Sequence, residues 1–317
     1  MSLLARIDEA NRHDFTGFRP WYVAGQRVGC VRHEFAERLA AWPEVFRAQP
    51  GALCMAPELD AAHVPEPRRS EAIAQVCAAL REQGVITGWR DERYPVTRAW
   101  RTPPLALIER AAAAFFGITA YGVHMNGYLR DTHGATRLWI ARRALSKPTG
   151  PGKLDQLVAG GQPHGIGLRE NMIKECAEEA GIASCIADAV RPAGAISYVL
   201  ETPSGLRPDV LFNFDLELPA DFQPRNDDGE VDAFYLWDLD TVERTVAGSD
   251  RFKFNCSLVN IDFLIRHGHI AADHPDYEQL VLGLHPNPRH APPQWMHPPA
   301  LPDGAADTRA GEATGSG

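Results

Sequence analysis

The chain has 317 residues, 44% hydrophobic and 23% charged, with 32 Lys and Arg against 41 Asp and Glu for a formal charge of -9. That composition excludes a disordered or collagen-like protein, and the acidic balance argues against a nucleic-acid polymer held mainly through basic surface. Apolar runs such as residues 111–118 fall far short of the ~18 needed to span a bilayer, so no membrane segment is expected, and at roughly 150 residues per domain the length suits two domains.

The opening stretch, MSLLARIDEANRHD, turns charged too early for a secretory signal. The cysteines at 30, 54, 77, 176, 185 and 256 form no CxxC pair and no dense cluster. Reduced thiols, no cysteine-held metal and a cytoplasmic location are therefore expected. No period of 20 to 50 residues repeats, so a solenoid or propeller is not supported.

Residues 18–32 alternate about a glycine turn and are predicted to form a hairpin. Helical spacing covers residues 35–46 and 70–83, the latter with Ile73, Val76 and Leu80 on one side. A third helix is predicted over 104–116, ended by Gly117. Together these make a smaller α+β domain over residues 1–115. Strands follow at 120–129 and 137–144, then the loop KPTGPGK at 147–153 and a helix at 170–180. A hairpin over 195–201 and 210–218, a polar loop at 219–230 and a strand at 231–237 come next. Helices at 239–246 and 255–266 close a second domain spanning 116–285. Residues 286–317, rich in Pro, Gly and Ala, are expected to be a disordered tail.

Residues 160–182, GGQPHGIGLRENMIKECAEEAGI, are the most informative. On a helix, Met172, Ile173, Cys176, Ala177 and Ala180 make an apolar stripe and leave Glu175, Glu178 and Glu179 as neighbours. Like charges at this spacing cost ~0.2 to 0.5 kcal/mol per pair, and the C-terminal end of the helix dipole adds ~0.3 to 1 kcal/mol. An isolated ExxEE is usually a solvated acidic face. Here a glycine-rich loop precedes the helix, Lys174 precedes the first glutamate and Gly181 ends the run. A hard divalent cation, Mg²⁺ or Mn²⁺, is the partner such oxygens favour, because it leaves positions open for substrate phosphate and water.

The stretch resembles the Nudix box, a Gly, five residues, Glu, seven residues, then Arg-Glu-apolar-x-Glu-Glu-x-Gly-apolar. Gly160, Lys174, Glu175, Cys176, Glu178, Glu179, Gly181 and Ile182 stand at the matching spacing, with Ile166 in place of the first Glu and Lys174 in place of Arg. The segments GWRDERYPV, ERAAAAFFG, HMNGY, WIARR, LDQLVAGG, DGEV and FLIRHG extend the likeness over most of residues 1–285 to a Nudix subgroup labelled thiamine-pyrophosphokinase-like, which has its own N-terminal domain.

The resemblance implies a Nudix α/β/α sandwich with a mixed sheet, class α/β, preceded by the smaller α+β domain. It implies a metal-dependent hydrolase that cuts a small organic diphosphate, thiamine diphosphate or its oxidised or damaged analogues, to the monophosphate. Glu175, Glu178 and Glu179 would hold Mg²⁺ or Mn²⁺, with Glu178 and Glu179 catalytic and Lys174 orienting the first carboxylate. Gly160 and Gly161 would lie at the substrate. The Ile166 replacement bears on loop geometry more than on metal binding. Alternatives are an oxidised nucleoside diphosphatase acting on substrates such as 8-oxo-dGDP, a thiamine pyrophosphokinase-type transferase, and a ligand-binding protein without catalysis.

Outside the box, Glu230 opens the strand at 231–237, where it is expected to act as a further metal ligand or as the base. Arg142, Arg143 and Lys147 precede the box and could neutralise phosphate by charge-assisted hydrogen bonds. KPTGPGK lacks the spacing of a P-loop, and Asp227, Asp228 and Gly229 lack that of an EF-hand. His267, His269 and His274 are read as helix-end or exposed histidines, not a zinc site. Trp21, Trp89, Trp100 and Tyr94 are read as core residues with stacking on a heteroaromatic ring as their second use. The first domain is open to two uses, a lid over the substrate or a homodimer surface.

Overall fold

The computed structural model describes residues 2–147, 149–226, 229–289 and 292. Asp227, Asp228 and the expected tail beyond Arg289, Pro292 excepted, lie outside the described residues. The chain opens with helix α1 (Leu3–Ala10), which is absent from the elements predicted above. Ser2 caps it, and Leu3, Ile7 and Ala10 recur on its buried face. β1 (Phe18–Val23) and β2 (Gln26–Arg32) form the expected hairpin across Ala24 and Gly25, both at positive φ.

Helix α2 (His33–Leu39) is shorter than the predicted 35–46. The chain turns at Trp42 and Pro43, and Phe46 enters β3 (Phe46–Gln49), which pairs with β4 (Ala52–Met55) across Gly51. α3 (Pro57–Asp60) and α4 (Glu66–Glu82) follow, α4 being the predicted helix at 70–83 with an extra turn. The order of the resulting sheet is β2-β1-β4-β3.

The predicted helix at 104–116 does not form. Residues there make β6 (Ala106–Glu109), paired with β5 (Arg93–Val96), and then one 3-10 turn, Arg110–Ala112. Alternating burial of Ala106 and Ile108 and the ladder to β5 outweigh the helical preference of the alanine run. Trp21, Phe46 and Phe116 meet in the core of this first unit, with the Trp21 and Phe116 rings 4.8 Å apart.

The second unit is built on a seven-stranded sheet. β7 (Tyr121–Arg130) and β8 (Thr136–Arg143) are central. β9 (Leu154–Gln156) pairs with β8, and β10 (Val158–Gly161) pairs with β7. Helices α5 (Leu168–Ala180) and α6 (Ser184–Ala187) lead to the long hairpin β11 (Arg191–Thr202) and β12 (Gly205–Glu217). β13 (Val231–Asp238), α7 (Leu239–Gly248), α8 (Phe254–Arg266) and α9 (Tyr277–Gly283) complete it. The strand order is β11-β12-β7-β8-β13. Only β12 and β7 run parallel, so the sheet is mixed, as expected.

Helices cover both faces, giving the α/β/α sandwich. On one side Met172, Cys176 and Ala180 of α5 pack on Val123, Met125 and Val158. On the other, Leu258 and Ile261 of α8 and Val242 of α7 pack over Leu138, Ile140 and Leu211. α1 joins this second layer, so the first residues of the chain lie in the core of the second unit. The chain stays anchored past residue 285. Ser197 Oγ donates to the Pro286 carbonyl at 2.5 Å, and Arg289 bonds to the Tyr121 hydroxyl.

Candidate active site

α5 presents the carboxylates because both its ends are fixed. Gly167 caps the start, and Gly181, left-handed at φ 61°, ends the helix with its N–H on the Ala177 carbonyl. The loop before it, where Ile166 stands in place of a glutamate, is held by neutral amides. Asn171 Nδ2 donates to the Gly161 carbonyl at 2.7 Å and to Gln162 Oε1 at 3.1 Å, and Gln162 Nε2 donates to the Ile166 carbonyl at 2.8 Å. Both amides are buried. Buried polar pairs of this kind fix a loop because breaking one strands its partner.

The three glutamates occupy different environments. Glu179 is 9% exposed, accepts from the Ala159 N–H of β10 at 2.7 Å, and has no cationic side chain paired with it among the described residues. Burial raises its pKa well above the usual carboxylate value, and the charges of Asp155, Glu175 and Glu230 add to that. Glu175 lies across Gly160 and is also raised by burial, against the opposing charge of Lys174. Glu178 is half-exposed and takes Lys174 Nζ at 2.7 Å, which also lies 3.5 Å from Glu175. Lys174 thus sits where the sequence places it. The glutamates open onto one cavity, but their oxygens do not gather within 4.8 Å of one another.

The glycines are explained by close approach. A Cβ on Gly160 would lie 2.6 Å from Glu175 Oε1, and one on Gly161 would run into the Tyr94 hydroxyl and lie 2.9 Å from Arg110 Cζ. Side chains at either position would displace groups facing the cavity.

The cavity has a volume of about 590 Å³, within the range of small-molecule sites. The α5 glutamates, Glu230, Arg143 and Lys147 all line it. Glu230 forms an ion pair with Lys147. Burial opposes ionisation there, but the Lys147 hydrogen bond and charge, with Arg143 and Arg90, bring its pKa below the ordinary value. Arg143 is fixed by Asp155 Oδ2 at 2.6 Å and by the Thr149 carbonyl. Arg142 is not among the residues lining this cavity, as alternation along a strand requires of a residue next to Arg143.

Beneath the cavity lies a buried network that the sequence did not disclose. Ligand atoms of His124, Asp155 and Cys256 fall within 4.8 Å of one another. Asp155 is already served by Arg143, by Lys253 at 4.0 Å and by the Cys256 thiol at 2.7 Å. Burial would raise its pKa, but Lys253 and Arg143 outweigh that and hold it at about 2. Burial lowers His124 to about 4 and pushes the Cys256 thiol well up. Two cations, a neutral imidazole and a protonated thiol leave Asp155 no charge to offer a metal. Asp155 and the Cys256 thiol form a structural hydrogen-bonded pair that aims Arg143, with His124 beside them bonded to Gln156 Oε1 at 3.0 Å. By contrast, Glu179, a buried carboxylate with no cation, in an all-oxygen set, fits a hard divalent ion.

The other residues singled out in the sequence sort simply. His267 contacts Asp215 at 3.2 Å, His269 contacts Glu243 at 2.8 Å, and His274 accepts from the Asp276 N–H, so each has its own partner. Trp21 is core, Trp89 bonds to Asp91, and Trp100 packs on Tyr121 and Phe212. Tyr94 alone of that group reaches the cavity, accompanied by Arg90, Glu92 and Arg110, three residues of the first unit that the sequence reading assigned no role in the site. Among the described residues no helix is long and apolar enough to cross a membrane, and all six cysteines are free.

Residues 2–120 match a family model described as a domain of unknown function (DUF4743). The chain is 44% identical to Nudix hydrolase 20, chloroplastic, of Arabidopsis thaliana over 289 residues, covering 88% of this chain and 76% of that protein. It is 43% identical to Nudix hydrolase 24, chloroplastic, of the same plant over 285 residues, covering 89% and 77%. Among solved structures, the Nudix domain of Shewanella oneidensis NrtR complexed with ADP ribose is 12% identical, with a TM-score of 0.38 over 48% of this chain and 90% of that one.

Proposed function

Because the chain belongs to the Nudix hydrolase family, whose members act on phosphorus-containing anhydrides, we propose that it cleaves an organic diphosphate to the monophosphate and phosphate. The substrate proposed is thiamine diphosphate or an oxidised or damaged analogue of it, and the place of action is the cytosol. One observation carries the chemistry: the buried, uncompensated Glu179 shares a cavity of about 590 Å³ with Arg143 and Lys147. Such a site wants a cation at one wall and an anion at the other, which a metal diphosphate supplies together.

In this reading Glu175, Glu178 and Glu179 hold Mg²⁺ or Mn²⁺. Once bound, the ion neutralises charge on the phosphates and lowers the pKa of a water beside it. The residues of the chain do the rest. Arg143, held by Asp155, offers a fixed fork to a phosphate. Lys174 steadies Glu178 and Glu175 between turnovers. Glu230, ionised by its pairing with Lys147, suits a ligand or water-orienting role better than that of a strong proton acceptor, since a lowered pKa weakens a base. The oxygen of water adds to the terminal phosphorus, the bond from that phosphorus to the bridging oxygen breaks, the organic monophosphate leaves with the bridging oxygen, and the water's protons end on the released phosphate and in solvent.

The test is phosphate release with Mg²⁺ and with Mn²⁺ from thiamine diphosphate, its oxidised analogues, nucleoside diphosphates and ADP-ribose, with the Glu179→Gln protein as blank. Release from the thiamine compounds above the blank supports the assignment. Preference for an oxidised nucleoside diphosphate would move the substrate. Turnover that requires ATP and thiamine together would replace hydrolysis by transfer.

A further inference from the structure

We propose that the first 120 residues form one half of the substrate site, with Arg90 and Arg110 binding the phosphates of the diphosphate from the wall that faces α5. The inference rests on the reading of the cavity given above and gives the first unit a role that neither its family model nor its relatives' names assign.

Arg110 follows β6 directly, in the 3-10 turn that replaces the predicted helix. Its Nη1 donates to both oxygens of Glu92, at 3.2 and 3.0 Å, and its guanidinium carbon lies 5.8 Å from the centroid of the Tyr94 ring. Tyr94 and the guanidinium together fill the space that Gly161 leaves open. The group is therefore oriented on one edge by a carboxylate, on one face by an aromatic ring and from below by backbone. Its other edge is spare. Among the described residues Nε and Nη2 have no hydrogen-bond partner, and the side chain keeps 38% of its surface exposed at the cavity. A planar fork with free donors beside a set of metal-type carboxylates matches a phosphate that arrives with its cation.

Arg90 also lines the cavity. Its backbone N–H is fixed by Glu109 Oε1 at 2.9 Å, while its side chain is exposed, lines the cavity and makes no hydrogen bond or ion pair among the described residues. Its charge is felt at Glu230, as that of Arg110 is felt at Glu175. The two arginines thus face the same cavity as the acids, and both come from the segment 88–110 that the β5 and β6 pair anchors to the first unit. A unit serving only as support would leave no spare arginine donors facing the carboxylates of another unit.

The experiment measures binding of inorganic pyrophosphate, with Mg²⁺, to the full chain by titration calorimetry, and steady-state kinetics on the substrate found above. Arg110→Gln and Arg90→Gln are each expected to weaken pyrophosphate about tenfold, and the pair about a hundredfold, as loss of a charge-assisted hydrogen bond gives. KM should rise far more than kcat falls, Mg²⁺ binding without pyrophosphate should be no weaker, since a cation near its ligands is removed, and Arg110→Lys should recover part of the loss. Should Arg110→Gln melt early, Arg90→Gln, whose side chain supports nothing, gives the answer by itself. Pyrophosphate binding by the double variant within twofold of the parent, with Glu179→Gln inactive, overturns the arginine role and leaves the carboxylate site standing. Glu179→Gln at full turnover overturns the site and this inference with it.

Discussion

Glu179 is 9% exposed, it accepts a hydrogen bond from the Ala159 amide at 2.7 Å, and burial holds its pKa well above the ordinary value. Without metal, a neutral pH forces a charge into that place or leaves a proton on it, and either way folding bears a cost that the unfolded chain escapes. Glu179→Gln keeps the shape and the oxygen that accepts from Ala159 while removing the charge. The metal-free variant should therefore be more stable than the parent, by on the order of 1 kcal/mol, a conservative share of the penalty for a buried ion. In a chain of this length that is a rise of about 2 °C in Tm. The sign fixes the pH window. A carboxyl whose folded pKa is raised gives up stability as pH climbs from its unfolded value of 4.5 towards the folded one. The gain of the variant should vanish well below pH 4.5, set in around that pH and grow towards neutrality. The assay is calorimetric melting in EDTA at several pH values, repeated with Mg²⁺, which should stabilise the parent and leave the variant nearly unmoved. A variant that melts below its parent in EDTA at pH 7, or a gain of equal size at pH 4.5, would refute the reasoning.

Gly160→Ala places a methyl group 2.6 Å from Glu175 Oε1, so Glu175 must swing away. Turnover should drop by at least tenfold and overpacking should cost about 1 to 3 kcal/mol, and an active variant with an unchanged melt would contradict the geometry. Asn171→Ala strands the Gly161 carbonyl and Gln162 Oε1 in a buried setting, and about 1 to 3 kcal/mol should be lost. Faster proteolysis within residues 161–167 would locate the damage. His124 titrates near 4 in the fold against an ordinary 6.5. Its neutral form is the one folded, so its stabilising share is complete above pH 6.5 and disappears as pH falls towards 4, a loss of up to about 3 kcal/mol. Urea midpoints followed from pH 7 to 4 should fall more steeply for the parent than for His124→Gln, and parallel curves would exclude His124 as the source.

The box is legible because its chemistry is local. Spacing along one helix puts Glu175, Glu178 and Glu179 in view of each other, and two glycines mark where backbone must pass close to side chains. The sandwich follows from the same resemblance. What stays hidden is non-local or decided by partners. Residues 104–116 read as helix because four alanines favour it, yet their fate is set by β5, ten residues upstream. Arg90, Glu92 and Arg110 lie in segments that carry the family likeness but not its chemistry, and only the packing of β5 and β6 against Gly161 brings them to the cavity. Asp155, His124 and Cys256 are about 30 and 100 residues apart, so their cluster has no sequence signature. Ile166 reads as a missing support, while the structure gives that duty to Gln162 and Asn171, amides whose role shows only once their partners are known.

Helix α1 has a further consequence. It belongs to the helical layer behind the large sheet, whereas the strands that follow it build the smaller unit, and β7 then returns the chain to the sheet. The smaller unit is thus tied down at both its entrance and its exit, like a strap buckled at two ends, and cannot swing outward about a single joint. Cutting the protein in two near residue 115 would do more than remove a cover, since it would strip Leu3, Ile7 and Ala10 from α8 and leave an oily furrow facing water.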